Sequence, residues 1–406
     1  MGLMINGQIV NGFKINSSDV NGMAKNGEVI WRKSVTPVEA HYLPFQSDTQ
    51  FTLQTGNNTK TWDGVLEYSI DATIWSEWDG TSISSSTDGL LYLRGTGNTV
   101  ITPRSSFSFD NASNLKALGN IEYLLDWETV KNGEHPVMSN NCYNGMFWDC
   151  SSLTIPPELP ATTLADSCYS SMFRFCTSLT IPPELPATTL TSLCYEKMFN
   201  DCSSLTIPPE LPATTLAPYC YSAMFFNCHS LVTAPELPAT TLALRCYFHM
   251  FTYCTSLTTP PRLLATTLST SCYECMFYVC SSLTTLPELP ATTLEPRCYN
   301  TMFIGCENIK MSRTQSSEYK YEWRIPATGE ILNESDGWNT DMLLGVGGTF
   351  TGNPQINTTY YTNNPSVTAT PAPMNMSRVA IFGIEPNAVD DEENIKILNE
   401  LGVEQI

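Results

Sequence analysis

Positive charge is scarce in this chain of 406 residues: 20 Lys and Arg stand against 40 Asp and Glu, giving a formal charge of -20 and an isoelectric point near 4.5. A surface that displaces counterions from a phosphate backbone needs clustered cations, so nucleic acid is excluded as a partner. Apolar runs are short, and none approaches the ~20 residues of a membrane-spanning helix. The first residues, MGLMINGQIVNGFKINSSD, lack the basic start and apolar core of a secretory signal, and Asn6 stands where myristoylation needs Ser or Thr. The expectation is a product made in the cytoplasm without membrane insertion. Only four histidines occur, His41, His135, His229 and His249, with no Ser-His-Asp or Cys-His motif around them. No enzyme is expected. Zinc-type Cys-x2-4-Cys spacing appears once, at Cys272 and Cys275, without a second pair. No metal and no cofactor are expected.

What is abundant is repetition. From Cys142 to Cys306 one 26-residue unit recurs, first as CYNGMFWDCSSLTIPPELPATTLADS, with Cys-Tyr starting at 142, 168, 194, 220, 246, 272 and 298. A fixed period of this length implies a solenoid, because one such unit cannot bury its own apolar face. All fifteen cysteines fall in this region, fourteen as a Cys-x7-Cys pair per unit plus Cys275. On a helix such a pair would sit ~12 Å apart, too far for a disulfide. The simplest reading is a column of free buried thiols. Cys142, Met146 and Cys150 have i, i+4, i+8 spacing, which predicts a short helix over Cys-Tyr-x-x-Met-Phe-x-x-Cys. Leu153, Leu159 and Leu164 fill the interior from a strand side, and Pro156, Pro157 and Pro160 restrict pairing there to a few residues. At ~4.8 Å per strand step the stack is short and dense.

The flanks read differently. Residues 1–35 alternate short apolar runs with Asn6-Gly7, Asn11-Gly12, Asn21-Gly22 and Asn26-Gly27, a hairpin arm suited to docking, although an ordinary β cap fits equally. Residues 36–106 predict a β-sandwich; Trp62, Trp75 and Trp78 are either its core or a sugar-stacking platform. Residues 107–310 hold the repeats, opened by an irregular first rung using Leu115, Leu118, Ile121, Leu124 and Leu125. Residues 311–406 form a β-rich module ending in a helix over 390–401 and a short strand at 403–406, beside 379–382. Gly345-Val346-Gly347-Gly348 lacks phosphate-loop spacing, and Leu-Pro-Ala-Thr at 159–162 lacks the Gly of a sortase signal.

Positions that change between copies are free to read a partner. The column after Met-Phe carries Trp148, Phe175, Phe226, Tyr253 and Tyr278, aromatics suited to glycan or protein recognition or else to covering neighbouring rungs. A second column carries Glu158, Glu184, Glu210, Glu236 and Glu288, interrupted by Arg262. Like charges ~5 Å apart repel by ~0.8 kcal/mol even in water, so a cation, a basic partner or plain solvation would relieve them.

The run MFxxCxSLT with PELPATTL, as in 172–190, resembles the BspA-like leucine-rich repeats of gut and oral bacteria, over about 170 residues. The resemblance implies an α+β solenoid: a leucine-rich repeat stack flanked by β-rich N-terminal modules and a mixed α/β C-terminal module. It also implies adhesion to host protein or glycan. The start INGxxVNG and the tail TDMLLGVGGTFTGNPQINTTYYT at 340–362 resemble phage structural or tail-fibre proteins of gut bacteria. That likeness implies a receptor-binding virion component, docked to other virion proteins through the N-terminal arm and attached to a bacterial surface receptor. A bacterial cell-surface adhesin and a structural virion decoration are the alternatives.

Overall fold

The computed structural model describes residues 3–5, 8–10, 13–15, 18–20, 22–25, 28–32, 41–102, 106–326, 337–368 and 403–405. Two compact units result, one from residues 1–40 with 371–406 and one from residues 41–370. In the first, Leu3–Ile5 pairs antiparallel with Gln8–Val10, and Phe13–Ile15 with Ser18–Val20. Gly22–Lys25 lies between Glu28–Arg32 and Val403–Gln405, antiparallel to both. The strand at 403–405 therefore pairs with 23–25; residues 379–382 and the expected helix over 390–401 lie outside the described residues.

The second unit begins with two sheets. One runs in the order Ser76–Glu77, Val65–Ser69, Leu90–Thr96, Leu43–Gln46, Leu115–Ala117, Leu153–Ile155, and the other in the order Ile83–Ser84, Thr52–Thr55, Phe107–Asp110. Alternation sets their inner face: Leu43 and Phe45, then Leu91 and Leu93, are fully buried while their neighbours are not. Trp62 and Trp78 pack 5.0 Å apart inside this core, so the three tryptophans do not make one platform. Trp75 alone is half-exposed, under the Arg94 guanidinium at 4.1 Å. The last pairing, Leu115–Ala117 with Leu153–Ile155, is parallel and leads into the repeats.

The expected α+β solenoid with a mixed α/β terminal module is overturned. The described residues are strand-rich, divided among several small sheets, and contain one α-helix, Trp127–Lys131, which lies outside the Cys-to-Cys copies. No copy contains the expected helix. In the copy starting at Cys194, Leu193, Lys197 and Asp201 have φ of 60°, 54° and 61°, and a residue with positive φ at every fourth position cannot continue a right-handed helix. The segment is instead a run of linked turns. Cys194, Glu196, Met198, Asn200 and Cys202 donate their N–H groups to carbonyls three residues back. The alternate residues Leu193, Tyr195, Lys197, Phe199 and Asp201 donate to Pro218, Cys220, Ser222, Met224 and Phe226 of the next copy, at 2.8–3.0 Å. Every backbone donor of the segment is thus satisfied, half of them across copies.

Two side-chain columns lie inside these turns. Tyr143, Tyr169, Tyr195, Tyr221, Tyr247, Tyr273 and Tyr299 stack at 5.7–6.0 Å with ring planes within 12°. Phe147, Phe173, Phe199, Phe225, Phe251, Phe277 and Phe303 stack at 5.4–5.7 Å. The ring columns are therefore spaced more widely than the strand step. On the proline-bound side no continuous ladder joins the copies; backbone pairing is limited to isolated bridges, such as Thr189 with Thr215 and Leu237 with Leu263, and scattered hydrogen bonds such as Leu190 N–H to the Thr215 carbonyl at 2.9 Å.

The cysteines are free, and all but Cys275 are buried. The second of each pair is more than filler. Cys176, Cys202, Cys228, Cys254, Cys280 and Cys306 donate their thiols, at 3.0–3.1 Å, to the carbonyl of the Phe in the preceding copy. Burial pushes Cys194 and Cys272 up to about 12, and a thiol held protonated is a poor nucleophile. Ellman's reagent at pH 8 should therefore titrate at most one thiol in the native chain, Cys275, and all fifteen in urea. Fast native reaction of several thiols would mean that the interior is open.

The stack is closed by a further turn cycle that the sequence reading, which ends the repeats at Lys310, does not contain. Gly337, Asp341 and Gly345 have φ of 29°, 53° and 78°, repeating the spacing of Arg297, Thr301 and Gly305. Arg297, Tyr299, Thr301, Phe303 and Gly305 donate to Gly337, Trp338, Thr340, Met342 and Leu344 at 2.8–3.0 Å. A small sheet of Tyr321–Trp323, Tyr360–Thr362, Lys310–Ser312 and Gly347–Gly348 packs alongside.

Candidate functional site: the variable face of the repeats

The turn run divides residues by a four-residue cycle. Cys-Tyr and Met-Phe are buried in every copy, and the pairs between them make the outer side of the cycle, where side chains run from exposed, as at Trp148 and Tyr253, to buried, as at Ser170, Asn200, Ser222 and Thr252. The outward positions carry different residues in each copy: Glu196-Lys197 and Asn200-Asp201, then Ser222-Ala223 and Phe226-Asn227, then Phe248-His249 and Thr252-Tyr253. The residue before each Cys joins them, for example Tyr219 and Arg245. A constant interior thus supports a grid of variable side chains, with neighbouring inner rings under 6.1 Å apart.

The predicted aromatics all lie on this face, in two groups. Trp148, 44% exposed, and half-buried Phe175 flank the Arg174 guanidinium at 5.1 and 4.8 Å. Phe226, Tyr253 and Tyr278 form an edge-to-face series at 5.6 and 5.7 Å. Asn200 and Asp201 separate the groups, and Arg174 Nε donates to Asn200 Oδ1 at 3.1 Å. The predicted glutamates Glu158, Glu184, Glu210, Glu236 and Glu288 are exposed on the proline-bound run and line no part of the groove described next. Arg262 does not simply interrupt their row: Nε and Nη2 both donate to Glu236 Oε2, at 3.1 and 2.9 Å. Among the described residues no three His, Cys, Asp or Glu side chains converge as a metal site.

A groove of about 340 Å³ crosses the face between Arg174 and His249. Ser222 and Ala223 form its floor, and Tyr219, Phe226, Phe248, Glu196, Lys197 and Asp201 rise around it. Lys197 Nζ is paired with Glu196 Oε1 at 2.7 Å, and Asn227 Nδ2 donates to Asp201 Oδ1 at 2.6 Å. Burial lowers the pKa of His249, which favours a neutral ring. Its Nδ1 lies 2.9 Å from Thr252 Oγ1, whose own proton goes to the Cys275 carbonyl at 2.7 Å. Nδ1 therefore carries the ring proton, and Nε2 is left as an acceptor. A second, more polar cleft of about 420 Å³ lies where Phe107–Asp110 meets Trp148 and Asp149.

Of the residues that shape the groove, the sequence reading, which took the pairs after Met-Phe, covers Arg174, Asn200, Asp201 and Phe226, with Phe226 as the binding candidate among them. It missed Tyr219, Lys197, Phe248 and His249, because it followed the pair after Met-Phe. The pair before Met varies as much, and that signal was in the sequence. No family model, curated protein or solved structure matches the chain.

Proposed function

We propose that the chain is a non-enzymatic recognition protein: a tail-fibre or receptor-binding component of a phage or phage-like particle, attaching to a bacterial surface through the variable face. One observation carries the recognition part. Side-chain variety is concentrated at outward positions of a backbone whose inward positions hardly change, and these outward positions include exposed aromatics and a groove. Aromatic rings grouped beside polar side chains on one face suit recognition of a partner. The particle assignment rests on the resemblance of both flanks to phage structural proteins. In this reading the N-terminal arm docks to other virion proteins.

The full chain, fluorescently labelled, should adsorb to intact cells of its bacterial host, and the double variant Trp148→Ala, Tyr253→Ala should lose at least tenfold in cell-bound signal. Both side chains are exposed, so folding is expected to be unchanged. Equal adsorption by the variant would remove this face from recognition. Mass spectrometry of density-banded particles and washed envelopes decides location: enrichment in envelopes would replace the virion reading by that of a cell-surface adhesin.

A further inference from the structure

The groove exists where a copy short of side chain lies between two copies that carry long ones. Where the copy before carries Glu196 and Lys197, and the copy after carries Phe248 and His249, the copy starting at Cys220 carries Ser222 and Ala223. Long side chains stand on both sides of two short ones, and the gap of about 340 Å³ falls in the range of small-ligand sites, roughly 300–1,000 Å³.

We propose that this notch binds one uncharged pyranose residue of a surface glycan, a ligand class that rests on the recognition reading above. A pyranose presents an apolar C–H face rimmed by hydroxyls, and the notch offers the complement. Tyr219, Phe226 and Phe248 supply ring surface. Asn200 and Asp201 on one wall, and Glu196 on another, supply oxygens that accept from hydroxyls, while the Arg174 guanidinium donates. His249 Nε2 adds an acceptor. Charge argues for a neutral ligand: Arg174 and Lys197 are matched by Glu196 and Asp201, and Lys197 is already engaged by Glu196 at 2.7 Å. Arg245, behind the rings, lies over Phe248 at 5.1 Å and donates to the Tyr219 hydroxyl at 3.1 Å. A phosphate or carboxylated sugar would meet two carboxylates with little free cation to offset them. A cationic peptide side chain would meet the Arg174 guanidinium.

The substitution Ala223→Lys fills the notch with the residue that the preceding copy already carries at the same backbone angle, φ 54° at Lys197 against 50° at Ala223. Saturation-transfer NMR on the full chain, with methyl glycosides of glucose, galactose, mannose and N-acetylhexosamines, and with glucuronate and sialate as charged members, tests the assignment. Transfer to one or more uncharged glycosides is expected, reduced at least tenfold by Ala223→Lys and by Phe248→Ala, with unfolding midpoints checked for each protein. Transfer to the charged members alone, to none, or equally in a folded variant would overturn it. Cell adsorption measured in parallel keeps the two readings apart: adsorption that depends on Trp148 and Tyr253 but not on Ala223 would leave recognition standing and end the sugar site. Arrays of bacterial surface polysaccharide and of mucin oligosaccharides, compared through the same Ala223→Lys loss, identify which surface carries the sugar.

Discussion

Replacing Phe225 by alanine should lower the unfolding free energy by about 3–5 kcal/mol, whereas replacing its neighbour Phe226 should cost about 1 kcal/mol or less. Phe225 is fully buried, with the rings of Phe199 and Phe251 stacked at 5.7 and 5.6 Å. Its loss removes two ring contacts and leaves a cavity that rigid neighbours on both sides cannot close. It also loosens the seat of the Cys254 thiol, which donates to the Phe225 carbonyl at 3.1 Å. Phe226 has an outward position and meets Tyr253 only edge-on, at 5.6 Å. Urea unfolding of both variants measures the contrast. Equal costs at the two positions would refute the in-in-out-out order of the turn cycle, and with it the assignment of the variable face.

That contrast also shows what the sequence could and could not reveal. The interior was legible: the apolar residues repeated from copy to copy, Cys, Tyr, Met, Phe and Leu, are buried, while the equally repeated Thr-Thr pairs are exposed. Their conformation was not. Cys142, Met146 and Cys150 recur every four residues, and a period of four reads as one face of a helix when only spacing is considered. A chain of turns with a positive φ at every fourth residue has that same period. The residues at those positions gave mixed signals. Asn141, Gly145, Asp149, Asn227 and Gly305 suit a left-handed conformation, but Leu193, Tyr219, Phe175 and Val279 do not. Only the hydrogen bonds to the next copy hold the latter there, and non-local bonds leave no local trace. The predicted aromatic column lies on the variable face, but the groove could not be read from the sequence, since it depends on what Ser222 and Ala223 lack.

The closing cycle was hidden for a related reason. Met342-Leu343-Leu344-Gly345 echoes Met302-Phe303-Ile304-Gly305 at an offset of 40 instead of 26 residues, without the Cys and Tyr that mark the other copies. Its role predicts a large local effect. Leu343 is fully buried and Leu344 is 47% exposed, so Leu343→Asp places a carboxylate where no partner awaits it, at a cost of about 3–5 kcal/mol, while Leu344→Asp should be nearly neutral. The cost falls on the cycle 337–345, whose carbonyls accept from Arg297, Tyr299, Thr301, Phe303 and Gly305. When that cycle opens, these five amides lose their acceptors together. Hydrogen exchange should then speed up by on the order of a hundredfold or more at those five positions. The corresponding amides at Ser167, Tyr169, Ser171, Phe173 and Phe175, bonded to the copy at Cys194, should keep their protection. A uniform loss of protection would show that the repeats unfold as one unit. No change at all would show that residues 337–345 do not close the stack.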